Sequence, residues 1–161
     1  MDKPFTVAIL GAGNGAHAMA GHLALKGFTV RLYSKFEEEI VHLRERGGVM
    51  VEGAVEGFGR LELVTTDIAS ALDGARAVMV VVPAFAHRFM AEVCASHLQD
   101  GQIVILNPGR TGGALEFANV LKENPRFSAN TRSQDAPGEN PRFSAQAQSK
   151  GSARFSANTR S

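Results

Sequence analysis

The amino-acid sequence predicts an α/β fold over residues 1–121, a doubly wound parallel sheet with helices on both faces. Two observations favour this fold. Short apolar segments rich in β-branched residues alternate with segments whose apolar residues recur at helical spacing, as in parallel sheets joined by crossover helices. The first apolar segment also leads directly into a glycine-rich turn, "GAGNGA" at 11–16, and in such folds ligands bind where strands end.

The first half of the chain predicts two strands that alternate with two helices. In order, they are a strand at 5–10, a helix at 14–26, a strand at 28–34 and a helix at 36–46. Gly27 and Gly47 follow the two helices, where glycine commonly ends a helix. The tetrapeptide "SKFE" is typical of a capping box, in which Ser34 bonds the start of the helix and Glu37 bonds back.

The second half begins with a glycine-punctuated segment, residues 48–66, that predicts a small hairpin and then a strand at 61–65. Asp67 or Thr66 is suited to cap a short helix that runs through Leu72. The remaining predicted elements are a strand at 76–82, a helix at 85–98, a strand at 102–106 and a helix at 114–121.

Residues 122–161 have a different character, and we expect a disordered, low-complexity tail. The sequence "RFSANTRS" occurs at 126–133 and again at 154–161, with a diverged copy at 142–149. Each copy has one phenylalanine as its large apolar residue. Solenoid repeats need more apolar residues than this, because each repeat must bury an apolar face against its neighbour. The tail carries a net charge of +4, against −3 for residues 1–121. Nucleic-acid contact is one interpretation; a read-through or frame-shifted tail without a selected role is the favoured one, so no nucleic-acid partner is expected.

The single cysteine, Cys94, lies in an apolar segment, which favours a buried structural thiol and a reducing, cytoplasmic location. The apolar run at 7–10 is too short for a secretion signal, and no apolar run approaches the roughly 20 residues of a membrane span.

The histidines of the sequence do not predict a metal site. His17 and His22 are five residues apart, not the four that place two ligands on one helical face, so no metal site is expected.

The glycine cluster matches the dinucleotide fingerprint G-x-G-x-x-G/A in its alanine form, with a strand before it and a helix after it. In this pattern Gly11 makes the tight turn, Gly13 lets the backbone approach a pyrophosphate, and Ala16 permits close packing of helix on strand. The pyrophosphate would lie at the positive end of the helix that begins near Asn14. The sequence therefore predicts a Rossmann-type dinucleotide-binding domain; a tight turn without a ligand is the alternative.

The end of the second strand bears on the choice of cofactor. An acidic residue there would bind the 2′-hydroxyl of NAD, whereas this chain has Tyr33, Ser34 and Lys35. A hydroxyl followed by a cation suits a 2′-phosphate better, so we expect NADP, with NAD possible. The capping box explains Ser34 equally well without any ligand.

Three further residues lie near the predicted edge of the sheet. Pro83 ends a strand without leaving an unpaired N–H, which suits a cofactor site and ordinary strand termination equally. Arg110 is suited to bind a phosphate or a carboxylate, or to lie on the surface. His87 is the histidine best placed to face a cofactor, but we expect a helix-start or surface position because it has no visible catalytic partner.

The segments "ILGAGNGAHAMAGHLALKGFTVRLYSK", "VVVPAFAH" and "ILNPGRTGGALEF" together resemble the N-terminal half of the opine (octopine/nopaline) dehydrogenase family. Ketopantoate reductases and glycerol-3-phosphate dehydrogenases are more distant relatives. The resemblance implies reductive condensation of an amino acid with a 2-oxo acid, and places the pyrophosphate on the glycine cluster and the nicotinamide ribose near residues 82–84. The predicted cofactor-binding residues are Gly11, Ala12, Gly13, Asn14, Gly15, Ala16, Ser34, Lys35, Val82, Pro83 and Ala84.

In that family a second, mostly helical domain supplies the catalytic histidine–acid pair, whereas this chain passes into the repeats, so no residue is assigned a catalytic role. Three hypotheses follow. The favoured one is a truncated chain that binds dinucleotide without catalysis, and that self-associates or aggregates through an uncovered apolar face. The others are a small reductase completed by a partner chain, and a binding protein whose basic tail contacts nucleic acid.

Overall fold

The computed structural model describes residues 5–110 and 112–127. Its main sheet has five parallel strands in the order β5-β2-β1-β6-β7, which confirms the predicted doubly wound fold. The elements are β1 Thr6–Leu10, α1 Asn14–Leu25, β2 Thr29–Tyr33, α2 Glu37–Arg46, β3 Gly48–Val51, β4 Gly57–Arg60, β5 Leu63–Thr65, α3 Ile68–Leu72, β6 Ala77–Val80, a 3₁₀ turn Ala84–Ala86, α4 His87–Ala95, β7 Ile103–Leu106 and α5 Gly113–Glu123.

The sheet has an apolar core on each face because successive side chains of a strand point to opposite sides. In β1, Val7 and Ile9 pack with α1 and α2, whereas Ala8 and Leu10 pack with α3, α4 and α5. β1 and β6 are therefore apolar except for Thr6, as is typical of parallel strands covered on both faces, whereas β2 also carries Thr29 and Arg31. Because β2 and β6 both pair parallel with β1, the carboxyl ends of the three strands lie at one edge.

The predicted hairpin is present as the antiparallel pair β3 and β4, which packs on α1 outside the main sheet. A β-carbon placed on Gly59 of β4 would lie 2.5 Å from the backbone oxygen of Gly21 in α1. The hairpin and the helix thus meet backbone to backbone, through one glycine on each side.

The predicted capping box at the start of α2 is wrong. The helix begins at Glu37, with Phe36 as an N-cap residue whose side chain makes no capping bond. Ser34 lies before the helix, where its Oγ accepts the Phe36 N–H at 3.1 Å. Glu37 pairs with Arg44 instead of bonding back. Three acidic residues in the first turn favour this start through the helix dipole, without a side-chain cap.

Asp67 is the cap of α3, one of the two residues that the sequence suggested. Its carboxylate accepts the backbone N–H groups of Ala69 and Ser70, each at 3.2 Å. Hydrogen bonds from Ser70 lower the pKa of Asp67, because they stabilise its ionised form.

The C-terminal helix continues to Glu123, and the described chain stays packed beyond it. Phe127 packs against the core cluster of α4 and α5, and the Arg126 side chain donates to the Ser96 carbonyl at 2.9 Å. These residues lie beyond residue 121, where the sequence placed the end of the domain. From residue 128 onward the predicted disordered tail lies outside the described residues.

Cys94 is buried within the core, as predicted, and burial raises the pKa of its thiol to about 12. Within residues 5–110 and 112–127, no helix has the length and apolar character needed to cross a membrane.

Candidate functional site

A cleft of about 390 Å³ opens where β1, β2 and β6 end. Three connections of the fold form it, together with the first residues of α2 and α4: the turn after β1, the segment that joins β2 to α2, and the segment that joins β6 to α4. Its lining residues are Gly11, Ala12, Gly13, Ser34, Lys35, Phe36, Glu39, Val81, Val82, Pro83, Phe85, Ala86, Phe89 and Met90. In doubly wound sheets, this edge is where ligands bind.

Most of the predicted cofactor residues line this cleft: Gly11, Ala12, Gly13, Ser34, Lys35, Val82 and Pro83. The remaining predicted residues lie beside it. Asn14, Gly15 and Ala16 form the first turn of α1, where Ala16 is completely buried, and Ala84 begins the 3₁₀ turn.

Gly11 is required by the fold itself. Its φ angle of 122° is one that side chains with a β-carbon rarely adopt, and an added β-carbon would overlap the Val81 carbonyl oxygen. Its N–H donates to the Tyr33 carbonyl at 2.8 Å. Gly11 therefore holds the turn after β1 tightly between β2 and β6.

Gly13 is required by nothing in the described protein. Its backbone is extended, with φ −74° and ψ 174°, which any residue can adopt. A β-carbon on Gly13 would have no heavy atom within 4 Å. The space that the absent side chain leaves is open and lies at the start of α1. Glycine at this position is explained if an external group approaches the backbone there.

The start of α1 is electrostatically suited to an anion. The first turn has no acidic residue, and Gly13, the N-cap residue, has no side chain to cap the helix. The first backbone N–H groups of a helix have no partner within it, and the helix dipole adds partial positive charge. A phosphate at this position would receive N–H donors without displacing any capping side chain.

The segment after β2 brings a carboxylate into the cleft. The Ser34 hydroxyl, 3% exposed, donates to Oε2 of Glu39 at 2.5 Å. Glu39 was not among the predicted residues, because an acid that binds the ribose is expected at the end of β2, whereas Glu39 lies within α2. Three acidic residues soon after Ser34 were the available signal.

Aromatic side chains line the rim of the cleft, which the sequence did not predict either. Phe85, which is 88% exposed, and Phe89 lie on the side that follows β6, and the exposed Phe36 lies on the side that follows β2. The Lys35 ammonium nitrogen lies 4.5 Å from the centroid of the Phe89 ring, so the two sides of the cleft meet in a cation–π contact. Exposed aromatic rings at a cleft are suited to stack on a planar ring.

Comparison with known proteins agrees with this geometry. A family model described as the NAD-dependent glycerol-3-phosphate dehydrogenase N-terminus matches residues 6–123. The chain belongs to this family. It is 44% identical to an opine dehydrogenase from Arthrobacter sp. (strain 1C) over 120 residues, covering 74% of this chain and 33% of that relative. An octopine dehydrogenase from Pecten maximus is 29% identical over 129 residues, covering 71% of this chain and 31% of the relative.

A solved structure of octopine dehydrogenase with NADH and pyruvate superposes with a TM-score of 0.63 at 28% identity, covering 72% of this chain and 32% of that one. The chain therefore contains the NAD-binding N-terminal domain of opine-dehydrogenase-like oxidoreductases, which confirms the resemblance noted in the sequence. It spans about a third of the length of the relatives that it matches.

Two residues considered for the site of this NAD-binding domain lie away from the cleft. His87 does begin α4, as expected, but it is 1% exposed and packs against Gly113 rather than lying on the surface. Neither of its ring nitrogens has a hydrogen-bond partner among the described residues. Arg110 is exposed and does not line the cleft.

The histidines of the domain form no evident metal site. Residues 5–110 and 112–127 contain no group of three or more potential metal ligands. His17 of α1 instead faces His42 of α2, with ring centroids 5.9 Å apart. Burial and the neighbouring His42 lower the pKa of His17, which favours the neutral form of its ring.

Proposed function

We propose that the cleft binds a nicotinamide dinucleotide, with its pyrophosphate over the first turn of α1. The observation that carries this proposal is Gly13, whose missing side chain leaves open space that the fold does not need. In the proposed orientation, residues 11–16 hold the pyrophosphate. The adenosine lies toward Ser34 and Lys35, and residues 82–84 lie beside the nicotinamide ribose.

For the longer opine-dehydrogenase relatives, the resemblance implies a reduction in which the dinucleotide supplies hydride to an imine formed from an amino acid and a 2-oxo acid. We propose that this chain supplies the cofactor half of such a reaction. The ionisable side chains among the cleft's lining residues are Lys35 and Glu39, both on the adenosine side in the proposed orientation. A group that orients the imine and donates its proton would therefore have to come from outside the lining residues of the cleft.

Calorimetric titration of the 161-residue chain with NADH and NADPH tests the binding proposal. We expect measurable binding of at least one cofactor, and no oxidation above the buffer rate when an amino acid and pyruvate are added. Proximity of oriented reactants is worth up to roughly 7–11 kcal/mol, and residues 5–110 and 112–127 offer no evident means of supplying it.

The two measurements separate the hypotheses. Absence of heat and of a thermal shift with both cofactors would remove the binding proposal. Oxidation that saturates with substrate would instead favour the small-reductase hypothesis, and a His87→Ala variant would then show whether His87 takes part.

Between the two nicotinamide dinucleotides, the residues at the end of β2 favoured NADP. A preference for NADP requires a positive charge near the 2′-phosphate, and Lys35 does line the cleft. The Glu39 carboxylate opposes it, because a 2′-phosphate beside Ser34 would meet a like charge. The choice of cofactor thus depends on the balance between these two side chains.

We also propose that the chain self-associates through β7. This strand is at one end of the sheet, where Ile103 and Ile105 are 60% and 41% exposed. An exposed apolar edge strand offers unpaired backbone groups to a second copy. Sedimentation velocity should show dimers or larger species, and Ile105→Lys should shift the chain toward monomer. A wild-type chain that remains monomeric at high concentration would contradict this.

A cytoplasmic location is part of the proposal. It rests on Cys94, a single buried thiol that has no other cysteine in the sequence with which to pair. Such cysteine usage is typical of a reducing compartment.

A further inference from the structure

We propose that Glu39 selects the cofactor: its carboxylate, positioned by Ser34, binds the 2′-hydroxyl of the adenosine ribose, so the domain prefers NAD to NADP. This inference rests on the proposed dinucleotide site, and it reverses the preference that the end of β2 predicted. An acid at this place in the fold performs the same task when it ends the strand itself. Here it arrives from the first turn of α2.

Ser34 connects the end of β2 to Glu39. Its side chain is almost fully buried, its Oγ accepts the Phe36 N–H, and its single hydroxyl proton is donated to Glu39 Oε2. The hydroxyl is therefore fully used within the protein and is a poor donor for a phosphate. Because this bond occupies Oε2, the other carboxylate oxygen, Oε1, is left to accept a bond from the ligand.

Charge decides between the two cofactors. A ribose 2′-hydroxyl can donate to the carboxylate, and hydrogen bonds to charged groups are stronger than neutral ones. A 2′-phosphate brings about two negative charges and no proton to donate at neutral pH. Placed beside Glu39, it would suffer like-charge repulsion.

Lys35 does not reverse this balance. Its ammonium nitrogen lies 4.5 Å from the centroid of the Phe89 ring and 5.9 Å from that of the Phe36 ring, so it is held over aromatic faces. With Glu39 ionised, the two side chains together contribute no net charge to the cleft. A site for a 2′-phosphate needs a surplus of positive charge, which these two residues do not provide.

The neighbouring acids of α2 do not share this position. Glu37 pairs with Arg44, and Glu38 does not line the cleft. All three acids interact favourably with the helix dipole, so a merely structural role would apply equally to Glu38 and Glu39. Glu38→Gln is therefore a matched control, because it removes the same charge from the same helical turn.

The test is calorimetric titration of NADH and NADPH into the full chain, the Glu39→Gln and Ser34→Ala variants, and the Glu38→Gln control. We expect the wild-type chain to bind NADH more tightly. Glu39→Gln should lower the ratio of the NADPH to the NADH dissociation constant by about tenfold or more, the usual value of a charge-assisted hydrogen bond. Ser34→Ala should lower it less, and Glu38→Gln should leave it unchanged.

The outcomes distinguish this inference from the proposed function. Tighter binding of NADPH by the wild-type chain, or an unchanged ratio in Glu39→Gln, overturns the role of Glu39 and leaves the binding site standing. Failure of the wild-type chain to bind either cofactor overturns the site itself. Circular dichroism checks that each variant is folded, and if Glu39→Gln is not, the ratio in Ser34→Ala decides.

Discussion

A valine at position 13 should reduce dinucleotide affinity by at least about a hundredfold while leaving the fold unchanged. The backbone at Gly13 has ordinary extended angles, and no protein atom lies near the position of a β-carbon. The added side chain would occupy the space over the start of α1 and displace the pyrophosphate from the helix amides. Loss of two charge-assisted hydrogen bonds, at about 1.5–3 kcal/mol each, accounts for a loss of this size.

Titration calorimetry of Gly13→Val, together with urea unfolding, measures both parts of the expectation. Ala18→Val is the matched control, because Ala18 is exposed on α1 and does not line the cleft. Gly13→Ala should lie between the wild-type chain and Gly13→Val in affinity. Unchanged affinity in Gly13→Val would show that the pyrophosphate lies elsewhere, and a large loss of stability would show that the fold needs the glycine.

Gly11 and Gly13 show how much of the site a motif can predict. The fingerprint identifies both glycines, and the strand and helix around it locate them at the correct edge of the sheet. It does not separate their roles. Gly11 serves the fold, through its positive φ and its contact with Val81, whereas Gly13 leaves space for a ligand. That difference depends on the approach of β6, far away in the sequence.

The sheet was predictable because most of its strands are short apolar runs and the first two helices are followed by glycine, Gly27 after α1 and Gly47 after α2. Local sequence patterns gave the wrong prediction where the environment of a side chain depends on residues of another element. Ser34 matched a capping box, but its hydroxyl bonds Glu39 and the helix begins later. His87 is polar and begins a helix, yet the packing of α5 buries it.

The missed residues of the cleft share one cause. Glu39, Phe85 and Phe89 each follow a strand by several residues and reach the cleft only through the helix or turn that carries them. The site residues predicted from sequence lie at the strand ends and in the turns that directly follow them, because only a few residues separate these positions from a recognisable strand. The direction of a side chain on a following helix depends on where that helix begins, and this boundary is among the features least well determined by local pattern.

The second large effect is expected at the contact between the hairpin and α1, at Gly59. Gly21 is buried in the middle of α1, although glycine there costs roughly 1 kcal/mol relative to alanine. A β-carbon on Gly21 would overlap a γ-carbon of Val51 in β3, which explains this cost. A β-carbon on Gly59 would lie 2.5 Å from the Gly21 oxygen and 2.7 Å from its Cα, so the absence of a side chain at Gly59 lets β4 lie directly on the helix backbone.

We expect Gly59→Val to destabilise the domain by about 3 kcal/mol, at the upper end of the usual range for overpacking. The clash is with backbone, so no change of rotamer relieves it, and β4 must move away from α1. Val49 and Val51 of β3, which pack in the core on this face, would lose contacts as the hairpin moves. Strand propensity alone predicts that Gly59→Val stabilises the domain, because valine is favoured over glycine in a strand.

Urea unfolding monitored by circular dichroism measures this effect. Arg60→Val is the matched control, because it places the same side chain on the same strand at an exposed position. The control should change the free energy of unfolding by less than about 0.5 kcal/mol, as is usual for surface substitutions. If Gly59→Val were as stable as Arg60→Val, the hairpin would not rest on the helix backbone.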